Sequence, residues 1–261
     1  MGFLVCVYLY LDKWYNEEVM RRSIKPAVVY LFFLFVIGGL IFSDHQHRRQ
    51  EEAQVDKVDR TSQASDVEKN KVIEDRLAKM TLEEKVGQLF WARVPDNHQI
   101  EDLQSYHLSG YILFGRDFEG QTIENMKALT NRYQSASKTP LLIGSDEEGG
   151  TVTRISSILD TPFQSPMTLY QQGGMEAILS DTRRKAEVLK SVGINAGLFP
   201  VADLATDPSA FIYDRTIGQD AQTTATYIEQ VVKELQKNKL GSTLKHFPGY
   251  GDNGDSHTAI I

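Results

Sequence analysis

The alternation of short apolar runs with amphipathic helical patterns constrains the fold of this chain more than any other feature. Five runs predict strands, at Gln88–Trp91, Gly110–Phe114, Pro140–Ser145, Ala196–Val201 and Ser242–Lys245. The helical patterns between them include Thr122–Ser135, Met175–Val192 and Gln219–Lys239. Because strands that alternate with helices form parallel βαβ units, the pattern predicts an α/β fold with a parallel sheet.

Polar residues follow three of the predicted strands at the point where each strand ends. Asp146 closes the third strand, Asp203 follows the fourth, and the pair Lys245-His246 ends the fifth. A lysine and a histidine at the end of a buried strand need partners, since burying unpaired polar groups is costly. We therefore expect Asp146 or Asp203, at neighbouring strand ends, to pair with Lys245.

A glycine-rich segment, Phe247-Pro248-Gly249-Tyr250-Gly251-Asp252-Asn253-Gly254-Asp255-Ser256-His257, comes directly after this pair. Polar groups at a strand end followed by such a loop are typical of a site at the mouth of an α/β barrel. Residues two apart in an extended loop project to the same side, so Asp255 is predicted to hold the His257 ring. An imidazole held by a carboxylate can donate a proton and then take one back. The alternative is a solvated surface loop.

The segment from Lys245 to His257 resembles the signature loop of family 3 glycoside hydrolases, in their β-N-acetylhexosaminidase branch. Asp146–Arg154, Asn195–Asp203 and Asp214–Gly218 agree with the family in order and spacing, and the resemblance covers roughly Lys71 to His257. It implies an incomplete (β/α)₈ TIM-type barrel, with about five of eight strands present and the remaining three expected past Ile261.

The resemblance also implies a retaining β-N-acetylglucosaminidase that removes terminal N-acetylglucosamine from glycans such as peptidoglycan fragments. His257 would be the general acid/base, with Asp255 as its dyad partner. The implied substrate-binding residues are Asp146, Arg154, Arg215, Lys245 and His246, although either arginine could instead form a structural ion pair. The nucleophile would be an aspartate on a later strand, to which no residue here corresponds. No metal or organic cofactor is implied.

Two other functions remain open at this point. One is a β-glucosidase specificity, against which the sequence Asp255-Ser256-His257 favours the hexosaminidase branch. The other is a catalytically dead, membrane-anchored remnant or sugar-binding protein that lacks the nucleophile. That alternative predicts an unpaired apolar strand edge, poor folding and no turnover. The reading frame past Ile261 would separate the two.

The N-terminal part of the chain contains an uninterrupted apolar run, Ala27–Phe42. As a helix the run spans about 24 Å, which Ile24 and a snorkelling Lys25 extend toward the roughly 30 Å of a bilayer core. We therefore expect a single transmembrane helix within residues 1–43. It would act as an uncleaved signal anchor, with the catalytic part of the chain outside the cytoplasm. A cleaved signal and a secreted protein are the alternative. Met20 is an alternative start.

The rest of the chain divides into a polar tether at residues 44–66, predicted to be disordered, and a globular part at residues 67–261. The net charge of −7 argues against nucleic acid as a partner. The single cysteine, Cys6, excludes an internal disulfide and a cysteine-built zinc site. The predicted partners are therefore a carbohydrate substrate and a membrane, and no pattern specifies an oligomeric state.

Overall fold

The computed structural model describes residues 67–258, and within them five strands form one parallel sheet. The strands are β1 (Trp91–Arg93), β2 (Gly110–Leu113), β3 (Leu142–Ser145), β4 (Ala196–Gly197) and β5 (Gly241–Ser242). They lie side by side in chain order, and every neighbouring pair is parallel. The predicted α/β fold with a parallel sheet is confirmed.

Helices connect successive strands and cover the sheet. They are α1 (Leu82–Gly87), α2 (Gln99–Ser105), α3 (Gly115–Phe118), α4 (Ile123–Ala136), α5 (Pro166–Ser191) and α6 (Ala221–Lys237). Short 3₁₀ turns lie at Ile155–Ile158 and Tyr213–Arg215. The chain divides after Ala78 into two compact units, of which the second contains the sheet. The described residues of the first unit are helical.

The core lies between the sheet and the apolar stripes of its helices. On α6 the residues Tyr227, Val231 and Leu235 recur at helical spacing and are buried. On β3 the alternation of side chains buries Ile143, whereas Leu142 on the opposite face is 47% exposed. Helical cover on one face therefore fixes which strand residues enter the core.

Local hydrogen bonds determine where two of the helices begin. Thr81 forms a capping box at the start of α1, with Oγ1 of Thr81 accepting from the Glu84 N–H and the Glu84 carboxylate accepting from the Thr81 N–H. Helix α5 begins at Pro166, nine residues before the predicted start at Met175. Ser165 caps it and Pro166 suits its first turn, but Gly174 has φ 61° and interrupts the helical geometry. Because of this break, the first part of α5 could not be predicted from the helical periodicity.

Strand boundaries differ from the predictions for a hydrogen-bonding reason. Strand β1 starts at Trp91, because the N–H groups of Leu89 and Phe90 bond back to carbonyls of α1. Regular pairing of β4 with β5 ends at Gly197 and Ser242, after which the Thr243 N–H is shared between the carbonyls of Gly197 and Phe199. Lys245 continues the strand direction through a single bridge to Val201.

The predicted membrane helix within residues 1–43 and the predicted tether at 44–66 lie outside the described residues. Between residues 67 and 258, no helix combines the length and apolarity needed to cross a bilayer.

Candidate active site

Polar side chains that follow β3 and β5 meet in one cluster at the carboxyl edge of the sheet. The Lys245 ammonium forms ion pairs with the carboxylates of Asp146 and Glu148. Arg154 adds a second cation, with its Nη2 atom 3.1 Å from Oδ2 of Asp146. The expected pairing of Lys245 with Asp146 is confirmed, and two cations therefore hold the Asp146 carboxylate.

Glu148 is the residue of this cluster to which the sequence reasoning gave no role. Its side chain is almost fully buried and accepts from Nε and Nη2 of Arg215, at 2.9 and 2.8 Å. Burial alone would raise the pKa of Glu148, but the hydrogen bonds and charges of Arg215 and Lys245 outweigh it and hold that pKa below its ordinary value. The ionised carboxylate orients Arg215 and Lys245. Arg215 and Lys245 are buried cations that need a partner, and that need could have indicated the role of Glu148 from the sequence.

The neighbouring Glu147 points to the other side of the turn and is fully buried. Its carboxylate accepts from the Arg154 backbone N–H at 2.6 Å and from the Ser156 hydroxyl at 2.6 Å. Nε of Arg154 is itself buried, with no hydrogen-bond partner in the part of the chain that the structure describes. Glu147 therefore fixes the backbone that carries Arg154 toward Asp146.

His246 is held by a carboxylate from the neighbouring strand end. Its Nδ1 atom lies 2.7 Å from Oδ2 of Asp203, which also accepts the His246 backbone N–H at 2.9 Å. Its Nε2 atom lies 3.3 Å from Nη2 of Arg215. The tautomer protonated on Nδ1 satisfies both contacts, because Nε2 then accepts from the arginine. Asp203 thus pairs with His246, and Lys245 has other partners.

A buried lysine supports the Glu148 backbone. Nζ of Lys185, on α5, donates to the Glu148 carbonyl at 2.8 Å and lies 3.8 Å from Oδ2 of Asp181. The rings of Phe163 and Phe199 lie 5.3 and 5.1 Å from the same nitrogen. Burial lowers the pKa of Lys185, and the nearby Asp181 charge opposes that change. The lysine ties α5 to the turn that carries the cluster.

The predicted contact between Asp255 and His257 is present on the loop after β5. Nδ1 of His257 lies 2.8 Å from Oδ1 of Asp255, and the His257 backbone N–H donates to the same oxygen at 3.0 Å. These two hydrogen bonds, the backbone one first, hold the pKa of Asp255 below its ordinary value. The His257 side chain is 79% exposed. Among residues 67–258 its ring bonds to Asp255 and to no member of the Lys245 cluster.

The chemistry available at this edge of the sheet follows from its charges. Three cations, Arg154, Arg215 and Lys245, face the carboxylates of Asp146 and Glu148. Such a set can donate to and accept from the hydroxyls of a polar, uncharged ligand. Between residues 67 and 258, no group of three or more histidine, cysteine or acidic side chains is placed to hold a metal ion.

A parallel sheet with a polar cluster at the carboxyl ends of its strands has the arrangement in which α/β proteins place their ligand-binding and active sites. The model of the glycosyl hydrolase family 3 N-terminal domain matches residues 81–260. The chain belongs to this family, and the resemblance seen in the sequence is confirmed.

Proteins that are similar to this chain support its membership of the family. Beta-hexosaminidase LpqI of Mycobacterium tuberculosis is 30% identical over 181 residues, which is 68% of this chain and 46% of the relative. A solved family 3 β-N-acetylglucosaminidase from Paenibacillus is 29% identical with a TM-score of 0.61, and the match covers 68% of this chain and 35% of that one.

A second solved relative carries a sugar derivative. NagZ from Neisseria gonorrhoeae, in complex with N-trifluoroacetyl-D-glucosamine, is 29% identical with a TM-score of 0.56. The match covers 66% of this chain and 52% of that one. The chain spans about half the length of the curated relatives that it matches.

Proposed function

We propose that this chain supplies the sugar-binding and proton-transfer residues of a retaining β-N-acetylglucosaminidase. The observation that carries the proposal is the Asp255–His257 pair on the loop after β5, next in sequence to the cation–carboxylate cluster of Lys245. Relatives named beta-hexosaminidase and β-N-acetylglucosaminidase support the same reaction class. The proposed substrate is terminal N-acetylglucosamine on glycans such as peptidoglycan fragments.

In this proposal the strand-end cluster binds the terminal sugar. The Asp146 carboxylate accepts hydrogen bonds from ring hydroxyls, because it is partly exposed and the two cations beside it hold its orientation. Lys245 and Arg154 donate to the same ring, and Nε2 of His246 accepts from one of its hydroxyls in place of the contact with Arg215. Arg215, oriented by the buried Glu148, completes the set of donors. Charge-assisted hydrogen bonds of this kind give a neutral sugar both affinity and a fixed orientation.

His257 performs both proton transfers in the proposed reaction. Asp255 engages Nδ1, so Nε2 is the nitrogen available to the substrate. It gives its proton to the departing glycosidic oxygen as the bond to the anomeric carbon breaks. It then takes a proton from the water that attacks the glycosyl-enzyme intermediate.

A retaining reaction also needs a carboxylate nucleophile about 5 Å from the acid/base group. The carboxylates at the described strand ends are already engaged: Asp146 with Lys245 and Arg154, Glu147 with Ser156, Glu148 with Arg215 and Lys245, and Asp203 with His246. The resemblance to the family implies that the nucleophile is an aspartate on a later strand of the barrel. The same observation favours the second candidate, which is sugar binding without turnover.

The proposal extends to the location of the protein. The apolar run Ala27–Phe42 supports a membrane anchor within residues 1–43, joined by a polar tether at 44–66 to a catalytic part outside the cytoplasm. Separation of membrane and soluble fractions tests this directly. Protein that stays in the membrane pellet after a high-salt wash supports the anchor, and recovery in the soluble fraction contradicts it.

Hydrolysis and binding assays separate the two candidate functions. Release of a chromogenic aglycone from an aryl N-acetyl-β-glucosaminide, lost in His257→Ala, supports the glycosidase. Calorimetric binding of N-acetylglucosamine without such release, lost in Lys245→Met, supports the binding protein. Faster hydrolysis of the matched aryl β-glucoside contradicts the hexosaminidase specificity, and neither binding nor release contradicts both.

A further inference from the structure

Tyr250 connects the residues of the sugar-binding cluster with the loop that carries His257. Its backbone N–H donates to Oδ1 of Asp203 at 2.7 Å, while the other oxygen of that carboxylate holds His246. Its ring packs edge-on against the His246 ring, with centroids 4.9 Å apart, and at a tilt of 55° against the Phe211 ring, with centroids 5.2 Å apart. The ring is therefore fixed next to one of the groups that are proposed to bind the sugar.

The hydroxyl of the same side chain reaches the proton-transfer pair. It lies 3.1 Å from Oγ of Ser256, the residue between Asp255 and His257. The intervening segment contains Gly251, at φ 58°, and Gly254, and most of it is exposed. Backbone of this kind has little to hold its conformation on its own. The contact between Tyr250 and Ser256 thus ties the end of the loop to a buried ring.

A second tie holds the middle of the loop but not its end. The Asp252 carboxylate accepts from the Thr206 N–H at 2.6 Å, the Thr206 hydroxyl at 2.7 Å and the Asp207 N–H at 2.9 Å. These bonds fix Asp252 to the segment after β4. Four residues separate Asp252 from His257, so the position of the histidine depends on a further contact, which Tyr250 provides.

We infer that Tyr250 is a positioning residue that, through Ser256, keeps His257 in register with the sugar held by His246. The inference rests on the proposed function, because it assumes that His257 protonates the leaving group. A proton donor must lie within hydrogen-bond reach of the departing oxygen, and small displacements of such a group reduce its contribution. Tyr250 itself transfers no proton.

Removal of the hydroxyl alone tests this role, since Tyr250→Phe keeps the packed ring. The parent chain, Tyr250→Phe, Ser256→Ala and the double variant are compared on the methyl and the dinitrophenyl N-acetyl-β-glucosaminides. We expect kcat/KM for the methyl glycoside to fall about threefold to tenfold in each single variant. The dinitrophenyl glycoside should lose less than about twofold, because its leaving group needs little help from an acid. The double variant should match the single ones, since both remove one contact.

Amide hydrogen exchange provides a readout that does not depend on catalysis. The N–H groups of His257 and Thr258 donate to the side chain and the backbone carbonyl of Asp255. We expect both amides to exchange faster in Tyr250→Phe and in Ser256→Ala. The control Tyr106→Phe removes an exposed hydroxyl elsewhere and should change neither exchange nor kinetics.

The two readouts keep the inference separate from the proposed function. If the parent chain hydrolyses neither glycoside, the proposed activity fails for this chain, and the exchange rates alone decide the role of Tyr250. Unchanged exchange in both variants would overturn the inference. Equal losses on the two glycosides would also overturn it, because a purely structural defect lowers both alike.

Discussion

Replacement of Glu148 by glutamine removes the charge that holds two cations at the carboxyl edge of the sheet. Glu148 is 1% exposed at its side chain, and Arg215 and Lys245 are each 13% exposed. Breaking a buried ion pair by removing one partner costs about 3–5 kcal/mol. Lys245 keeps Asp146 as a partner, so the loss falls mainly on Arg215. We therefore expect Glu148→Gln to lower the free energy of unfolding by about 3 kcal/mol.

Urea unfolding measures this loss against a matched control. Glu229 pairs with Lys233 on α6, but their side chains are 63% and 70% exposed. Screening by water leaves such a pair with little effect on stability, so Glu229→Gln should shift the midpoint little. A Glu148→Gln loss no larger than that of the control would refute the buried pairing of Glu148 with Arg215.

The dependence of this stability on pH follows from the lowered pKa of Glu148. Because the folded-state pKa lies below the unfolded value, the pair stabilises the chain above the unfolded pKa of about 4.3. The contribution is lost as pH falls through the folded-state pKa. The difference between the parent chain and Glu148→Gln should therefore be full at neutral pH and shrink in acid. A difference that grows as pH falls would contradict this.

Three further substitutions test other parts of the fold. In Gly144→Ala the new methyl group would lie 2.0 Å from Cζ2 of Trp91, so urea unfolding should show a loss of about 1–3 kcal/mol, and an unchanged midpoint would contradict that packing. The Asn195 side chain accepts from the backbone N–H of Ile143 in β3 and donates to the carbonyl of Leu141, which precedes β3, both at 2.9 Å. Asn195→Ala should therefore lower the free energy of unfolding by about 2 kcal/mol in the same assay, more than the same change at an exposed asparagine would. In Asp252→Ala the Thr206 amide should exchange faster by NMR, and equal exchange would show that the tie after β4 is absent.

The parts of the fold that follow from side-chain periodicity could be predicted from the sequence. The stripe of Tyr227, Val231 and Leu235 indicates the buried face of α6, and the alternation of apolar runs with helices indicates a parallel sheet. The ends of the strands could not be predicted, because they depend on distant hydrogen-bond partners. The pairing of β5, for example, ends where the Thr243 N–H is shared between two carbonyls of the neighbouring segment.

The composition of the candidate site was partly predictable for a similar reason. Strand-end residues such as Asp146 and Lys245 lie at the same edge of a parallel sheet, so the fold class predicted a carboxylate partner for Lys245 but left the choice between Asp146 and Asp203 open. The role of Glu148 depended on which way each residue of a tight turn points, and the contact of Tyr250 with Ser256 depended on the path of a glycine-rich loop. Neither of these contacts follows from a repeating pattern of residues in the sequence.

A structure of the protein with a disaccharide that ends in N-acetylglucosamine tests the central claim most directly. The account predicts that hydroxyls of the terminal ring bond to Asp146 and Lys245, and that Nε2 of His257 lies within hydrogen-bond distance of the glycosidic oxygen. A disaccharide bound away from the carboxyl edge of the sheet would contradict the account. So would one bound there with its glycosidic oxygen out of reach of His257.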